Sequence, residues 1–130
     1  MSQRVRHAFK SGTPDYAYAL RAADGRHAKV NDQILQQSFI LMPDELVERW
    51  PVQSLEQLHV SHMDAVLALS PAVILLGTGA RQLFPKADVV AACLTRGIGL
   101  EAMTNAAAAR TYNVLASEGR RVALAMVLPG

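Results

Sequence analysis

Residues 71–81 read Pro-Ala-Val-Ile-Leu-Leu-Gly-Thr-Gly-Ala-Arg, and the choice of fold turns on this stretch. Val73, Ile74, Leu75 and Leu76 are apolar at odd and even positions alike. A strand built from them has no wet face and must be covered on both sides of its sheet. Pro71 bounds the run on one side. On the other, Gly77-Thr78-Gly79 lets the backbone leave the sheet sharply and approach other groups closely.

Downstream, the pattern alternates between helix and strand, the rhythm of an α/β layer fold. Pro85 suits a first helical turn, and Val89, Val90, Cys93 and Leu94 are expected to share one helical face, with Gly97 as the stop. Residues 98–102 alternate as a strand. Thr104 or Asn105 is expected to cap a helix that runs to about Glu118 and ends at Gly119. Residues 122–128 are apolar on both faces, which predicts a strand central in its sheet.

Upstream, the signals are local turns. Residues 15–22 alternate with Tyr16, Tyr18 and Leu20 on one face, and Asp24-Gly25 predicts a hairpin returning through about residues 28–30. Asn31-Asp32 reads as a second turn, followed by an extended stretch over 34–42 that Pro43 stops. Residues 43–50 predict a short helical turn, with Pro43 and acids at its start and Trp50 as a packing anchor. Ser61-His62-Met63-Asp64 has the form of a capping box and predicts a helix over about 62–69.

The chain of 130 residues is expected to form a single domain over 1–130, with 1–14 as a loosely ordered N-terminal arm. An apolar fraction of 51% against 18% charged residues places it among compact globular domains. The ten arginines are scattered with no basic run longer than two, and aromatics are 5%, so nucleic acid is not expected as a partner. Cys93 is the only cysteine, which excludes an internal disulfide and fits a reducing cytoplasm. The longest uncharged window, 65–80, is broken by Ser70, Pro71, Gly77 and Gly79 and is shorter than the ~20 residues of a membrane span. No secretory signal is read in the first ten residues.

Several constellations invite chemistry, and each has a plainer alternative. Gly77-Thr78-Gly79 with Glu101 on the next strand partly matches a dinucleotide fingerprint, but Gln82 stands at the third glycine position and the loop to Pro85 is long. A flexible strand-to-helix crossover explains the same residues. His59 and His62, with Asp64 near, have a spacing that zinc uses, yet no third histidine or cysteine lies close, so no metal and no cofactor are expected. Cys93 falls on an apolar face as a core thiol. The richest polar cluster is Thr104-Asn105 with residues 110–113 and 118–120, which either stitches the last helix to its neighbours or lines a pocket or docking surface; Glu101, Arg110, Tyr112, Asn113, Glu118 and Arg120 are read as its supporting network.

Four separated motifs in order carry a resemblance: 75–79, Leu-Leu-Gly-Thr-Gly; 96–103, Arg-Gly-Ile-Gly-Leu-Glu-Ala-Met; 110–115, Arg-Thr-Tyr-Asn-Val-Leu; and 118–120, Glu-Gly-Arg. With Val30-Asn31-Asp32, Leu41-Met42-Pro43 and Trp50, they make the chain similar to a widespread family of unknown function. That family includes mitochondrial complex I assembly factor 3 and the adipogenesis-associated Mth-type domain protein. Asp32 departs from the glycine that many members carry there. The resemblance implies a three-layer α/β fold, with a mixed central sheet flanked by helices, a small antiparallel β portion, and a last strand antiparallel to its neighbours. It implies no established reaction.

The expectation for function is therefore a non-enzymatic interaction or assembly-factor-like protein with a protein partner. Its place is the cytoplasm of a bacterium, or the mitochondrion if the chain is eukaryotic, with peripheral association with a membrane complex. The alternative is a small-molecule binder, for an anion or nucleotide, or an enzyme. If one helix links 72–76 to 98–102, those strands are parallel and their carboxyl ends lie together, where open α/β sheets bind ligands. The candidate cleft is thus Gly77, Thr78, Gly79 and Arg81 beside Thr104 and Asn105, with an anion favoured by the helix start.

Overall fold

The computed structural model describes residues 16–130. The expected N-terminal arm and Asp15 lie outside them. Eight strands and three α-helices are found there: β1 Leu20–Ala23, β2 Ala28–Val30, β3 Gln33–Leu35, β4 Gln37–Met42, β5 Glu45–Glu48, α1 Asp64–Leu67, β6 Val73–Gly77, α2 Ala87–Leu94, β7 Gly99–Met103, α3 Asn105–Ser117 and β8 Val122–Pro129. Two 3₁₀ turns, Leu55–Gln57 and Val60–Met63, precede α1.

The main sheet has the order β5-β4-β8-β6-β7, and β1-β2-β3 form a separate antiparallel sheet. Period-two alternation sorts each main-sheet strand onto two cores. Phe39, Leu41, Leu75, Leu124 and Met126 face the small sheet and α3, where they meet Tyr112, Ala108 and Val30. Ile40, Met42, Ile74, Leu76, Ala123 and Ala125 face the other way, onto Trp50, Met63, Val66, Val89 and Cys93. These are the three layers that the resemblance implies. The doubly apolar runs explain them: 122–128 and 74–77 are buried throughout, and β8 sits third of five.

The last strand has one neighbour of each kind. β8 is antiparallel to β4, as the resemblance implies, but parallel to β6, in register from Val73↔Val122 to Gly77↔Met126. β6 and β7 are parallel through α2, as the crossover rule requires. β8 follows from β7 through α3 in the same sense, so the antiparallel relation is confined to its β4 side.

Three further expectations change. Residues 43–50 form not a helical turn but the β4–β5 hairpin, with Met42↔Glu45 closing over Pro43-Asp44. Leu46 packs on one core and Val47 on the other, a two-sided burial that a single helical turn does not offer. The stretch 34–42 breaks at Gln36 into strands of two different sheets. In α2, Val89 and Cys93 are fully buried while Leu94 is 58% exposed. At 100° per residue Leu94 lies about 140° around the helix from Val89, on its outer side.

The helix ends behave as their residues dictate. Thr104 Oγ1 accepts from the Ala107 amide at 3.1 Å, capping α3. Gly97 (φ +74) and Gly119 (φ +78) close α2 and α3 with paired bonds, Gly97 N to Leu94 O with Ile98 N to Cys93 O, and Gly119 N to Ala116 O with Arg120 N to Leu115 O. The cap before α1 is His59 rather than Ser61. The His59 amide donates to His62 Nδ1 at 2.9 Å, so both rings are committed to the local turn.

Candidate functional site

The topology places the carboxyl ends of β6, β7 and β8 at one end of the sheet. The connections after β6 and β7 leave for opposite faces, since α2 packs on the Cys93 core and α3 on the Tyr112 core. A crevice between such strands is where α/β sheets place ligands. Here the chain itself closes it. The Thr78 amide donates to Met103 O at 2.9 Å, and the Asn105 amide donates to Gly79 O at 2.8 Å. The Thr78 hydroxyl sits 2.6 Å from Arg81 O, to which it donates, and accepts from the Leu83 amide at 3.1 Å.

Asn105 is the hub. Its side chain is fully buried, and its Oδ1 accepts from the Gly79 amide at 2.9 Å. Its Nδ2 donates to Asp24 O and to Val127 O, each at 3.0 Å. One amide thereby ties the β1–β2 turn, the loop after β6 and the end of β8 to the start of α3. Both of its N–H donors are used. Gly77 makes room for this: a Cβ there would stand 2.5 Å from Asn105 Oδ1. Gly79 is needed for another reason, its φ of +109. Of the first α3 amides, those of Asn105, Ala107 and Ala108 are bonded within the fold.

The candidate cleft thus brings Gly77, Thr78, Gly79, Thr104 and Asn105 together, with their polar atoms turned on one another. Arg81 is exposed in the loop, and its carbonyl rather than its guanidinium takes part. Leu83 and Phe84, 39% and 77% exposed, follow it. A cavity of about 230 Å³ lies beside this loop, lined among others by Gly25, Ser54, Leu55, Thr78, Gly79 and Val127. The partial dinucleotide motif finds no helix at its glycines, since α2 starts at Ala87. Glu101 is exposed on β7.

The expected supporting network separates into two groups. Tyr112 is fully buried and donates its hydroxyl to Tyr18 O at 2.7 Å, with Tyr16 set edge-on at 6.3 Å between ring centroids. Burial is the first cause, ahead of the nearby Tyr16 and Asp44, that pushes the Tyr112 phenol far above its ordinary range. Asn113 pairs with the backbone of Leu20 as a strand would: its Oδ1 accepts from Leu20 N at 3.1 Å and its Nδ2 donates to Leu20 O at 2.6 Å. Glu101, Arg110, Glu118 and Arg120 are all exposed and take no part in it.

Two polar anchors fall outside the candidate cleft and its expected supporting network. Ser38, 2% exposed at the β4 bulge, donates to Val52 O and accepts from the Leu128 amide at 2.7 Å. Asn31 (φ +53) clamps the segment before β1, with Oδ1 accepting from Ala19 N and Nδ2 donating to Ala17 O, both at 2.9 Å. The Asn-Asp turn signal marked Asn31 as a bend, and nothing local marks the clamp. Asp32 is not among the positive-φ residues. Cys93 is buried and free, its thiol pushed up by burial. Among the described residues no three His, Cys, Asp or Glu side chains converge to hold a metal.

A family model described as protein of unknown function (DUF498/DUF598) matches residues 20–127. The chain belongs to this family. An NMR structure of a Xanthomonas campestris protein is 85% identical, with a TM-score of 0.81 over 90% of this chain and 89% of that one. NADH dehydrogenase (ubiquinone) 1 alpha subcomplex assembly factor 3 of Danio rerio is 30% identical over 121 residues, which is 92% of this chain and 66% of that protein. The 13 kDa major membrane protein of Francisella tularensis subsp. holarctica (strain LVS) is 32% identical over 76 residues, 58% of this chain and 62% of that protein. The chain thus spans 62% to 66% of the length of these curated relatives. The DUF498/DUF598 match contains all four sequence motifs from Leu75 to Arg120.

Proposed function

We propose that this DUF498/DUF598 protein is a non-enzymatic interaction protein, assembly-factor-like, that works by holding a protein partner. The observation that carries this reading is the likeness to a complex I assembly factor over 92% of the chain. The geometry at the sheet's carboxyl end supports it. The side chains of Thr78 and Asn105, the most suggestive in the sequence, are spent on internal hydrogen bonds. The reading places the protein in the cytoplasm, without nucleic acid, and at the periphery of a membrane complex. For that last element, one relative is named a membrane protein, and no helix among the described residues is long and apolar enough to cross a membrane.

A second reading is favoured by one observation. The cavity of about 230 Å³ beside Thr78 and Gly79 would suit a small ligand. One experiment separates the two. The chain is crosslinked in its own cells, purified through a tag, and analysed both by quantitative peptide mass spectrometry and by native mass spectrometry. The interaction reading expects a stoichiometric protein partner and no added small mass. A stoichiometric metabolite without a protein partner would replace it with the second reading.

A further inference from the structure

Strand edges expose unpaired N–H and C=O groups, and proteins blunt them by identifiable devices. Three edges of this fold are blunted. On β1, Asn113 occupies the Leu20 backbone as a strand partner. On β7, the Gln82 side chain donates to Ala102 O at 3.0 Å, and the Ile98 amide just before the strand is taken by Cys93 O. β5 carries exposed Glu45 and Glu48 at its ends.

β3, only three residues long, has no charge, proline or covering side chain on its outer edge among the described residues. The hairpin closes Val30↔Gln33 over two residues, so Gln33 and Leu35 exchange hydrogen bonds with β2. The backbone N–H and C=O of Ile34 then point away from β2, to the open edge. The stretch 33–37, Gln-Ile-Leu-Gln-Gln, has no charge, glycine or proline, and the Ile34 side chain is 63% exposed. A groove of about 350 Å³ runs along these five residues, with Glu48 and Arg49 as its other lining.

We propose that this edge is a docking slot for an extended segment of a partner protein, which adds as a strand beside β3. The proposal rests on the interaction reading above and names the kind of partner. Main-chain pairing with Ile34 would hold the segment, and alternate side chains would select it. Charge sets the selection. Lys29 is directly across from Ile34 on the exposed face, and the Arg49 guanidinium has no hydrogen bond or ion pair among the described residues. Glu48, the one acid in the lining, is already approached by Gln33 Nε2 at 3.4 Å. The fitting segment therefore carries an apolar residue to lie against Ile34 and flanking carboxylates for Lys29 and Arg49. The pairing edge of β3 spans roughly 10 Å, three residues at about 3.3 Å each.

The test is selection of heptapeptides from a random phage-displayed library against the full chain, followed by synthesis of the winners. We expect winners with an apolar residue between acids, which shift the Ile34 amide in NMR spectra. Methylating alternate peptide amides should weaken them at least tenfold while leaving their side chains intact. Ile34→Lys and Arg49→Glu, both surface changes, should each do the same. No winner above background, winners that shift residues on another face, or winners indifferent to amide methylation would overturn the slot. A dimer in analytical ultracentrifugation that Ile34→Lys abolishes would give the edge to a second copy and overturn it too. Any partner recovered by crosslinking is then presented with the Ile34→Lys chain. Undiminished binding removes the slot and leaves the interaction reading standing, whereas absence of any partner for the wild-type chain removes that reading itself.

Discussion

The junction at the carboxyl end of β6 and the groove beside β3 are opposite solutions to one problem, the place where strand backbone runs out of partners. At the junction, glycines and polar side chains crowd together, and the side chains of Thr78, Thr104 and Asn105 are satisfied by other parts of the chain. At the groove, the residues are bland and no strand among the described residues pairs with the outer side of Ile34. The difference teaches that a Gly-rich, polar motif signals close packing as readily as binding. A glycine makes room, and here the room at Gly77 is filled by Asn105. An open edge, by contrast, advertises itself by what is missing from it: charge, proline and a covering side chain.

The comparison is broken most severely by opening the closed side. Asn105→Ala removes one acceptor and two donors from a fully buried point, leaving Gly79 N, Asp24 O and Val127 O without them. We expect a loss of about 3 kcal/mol, since Val127 O is left unsatisfied in a buried place at about 1–3 kcal/mol and the part-buried bonds of Gly79 N and Asp24 O are worth about 1 kcal/mol each. Gly77→Ala attacks the same bonds from the other side by pushing a Cβ into Asn105 Oδ1, with an expected cost of about 1–3 kcal/mol. Denaturant unfolding of both variants and the double variant checks this. The double variant should cost clearly less than the sum, because once Asn105 is truncated the added methyl has no amide oxygen to meet. Full additivity would show that Gly77 serves some other purpose.

These bonds also show how much could be read from the chain. The two doubly apolar strands, the Thr104 cap and the glycine stops at Gly97 and Gly119 were legible because their causes lie within a few residues. β5 was not, because Pro43, Asp44 and Glu45 suit a helix start as well as a hairpin turn. Only pairing with β4, and burial of Leu46 and Val47 on opposite faces, decides between them. Asn105 and Asn113 were legible as polar positions on the last helix but not as clamps. Their partners are 22, 26 and 81 residues away for Asn105 and 93 residues away for Asn113. The meeting of loop and helix at the candidate cleft follows from the crossover rule, while the direction in which its polar atoms point is a tertiary fact.

A milder change makes a blunted edge resemble the open one. Asn113→Ala strips the side-chain partner from Leu20 N and O while β1 keeps its ladder to β2. Two part-buried hydrogen bonds to Leu20 and a longer one from the Tyr16 hydroxyl at 3.4 Å are lost, for an expected cost of about 2 kcal/mol. The Leu20 amide should then exchange with deuterium much faster, approaching the Ile34 amide, while Leu75 and Leu124 in the central strands remain slow. An unchanged Leu20 rate would mean that Asn113 is not what protects this edge.

Tyr112 secures the same segment through Tyr18 O, and it makes that attachment sensitive to alkali. Burial holds its phenol protonated in the native state far above the ordinary value. An unfolded tyrosine ionises near pH 10, so unfolding releases a proton above that pH and stability falls as pH rises. Below about pH 9 this group contributes no pH dependence. By pH 11 the expected cumulative loss is about 1.4 kcal/mol, and Tyr112→Phe should remove the slope while sacrificing only the one hydrogen bond. A slope that persists in the phenylalanine variant would assign the alkaline weakness to another group.

The smallest expected effect concerns Arg81, and it decides whether the closed junction has any outward role. Its guanidinium is exposed, and the hydrogen bond at this residue uses the carbonyl, which any side chain would supply. Arg81→Ala should therefore change stability by no more than about 0.5 kcal/mol. Thr78→Ala, in contrast, removes the hydroxyl that ties Arg81 O to the Leu83 amide and should loosen the loop carrying Phe84. Partner crosslinking with the two variants separates structure from recognition. If the junction serves only to hold the sheet's end together, Arg81→Ala keeps every partner of the wild type. If it also presents a charge to that partner, Arg81→Ala loses the crosslink at unchanged stability, and the surface that does the binding lies at this end of the molecule rather than beside β3.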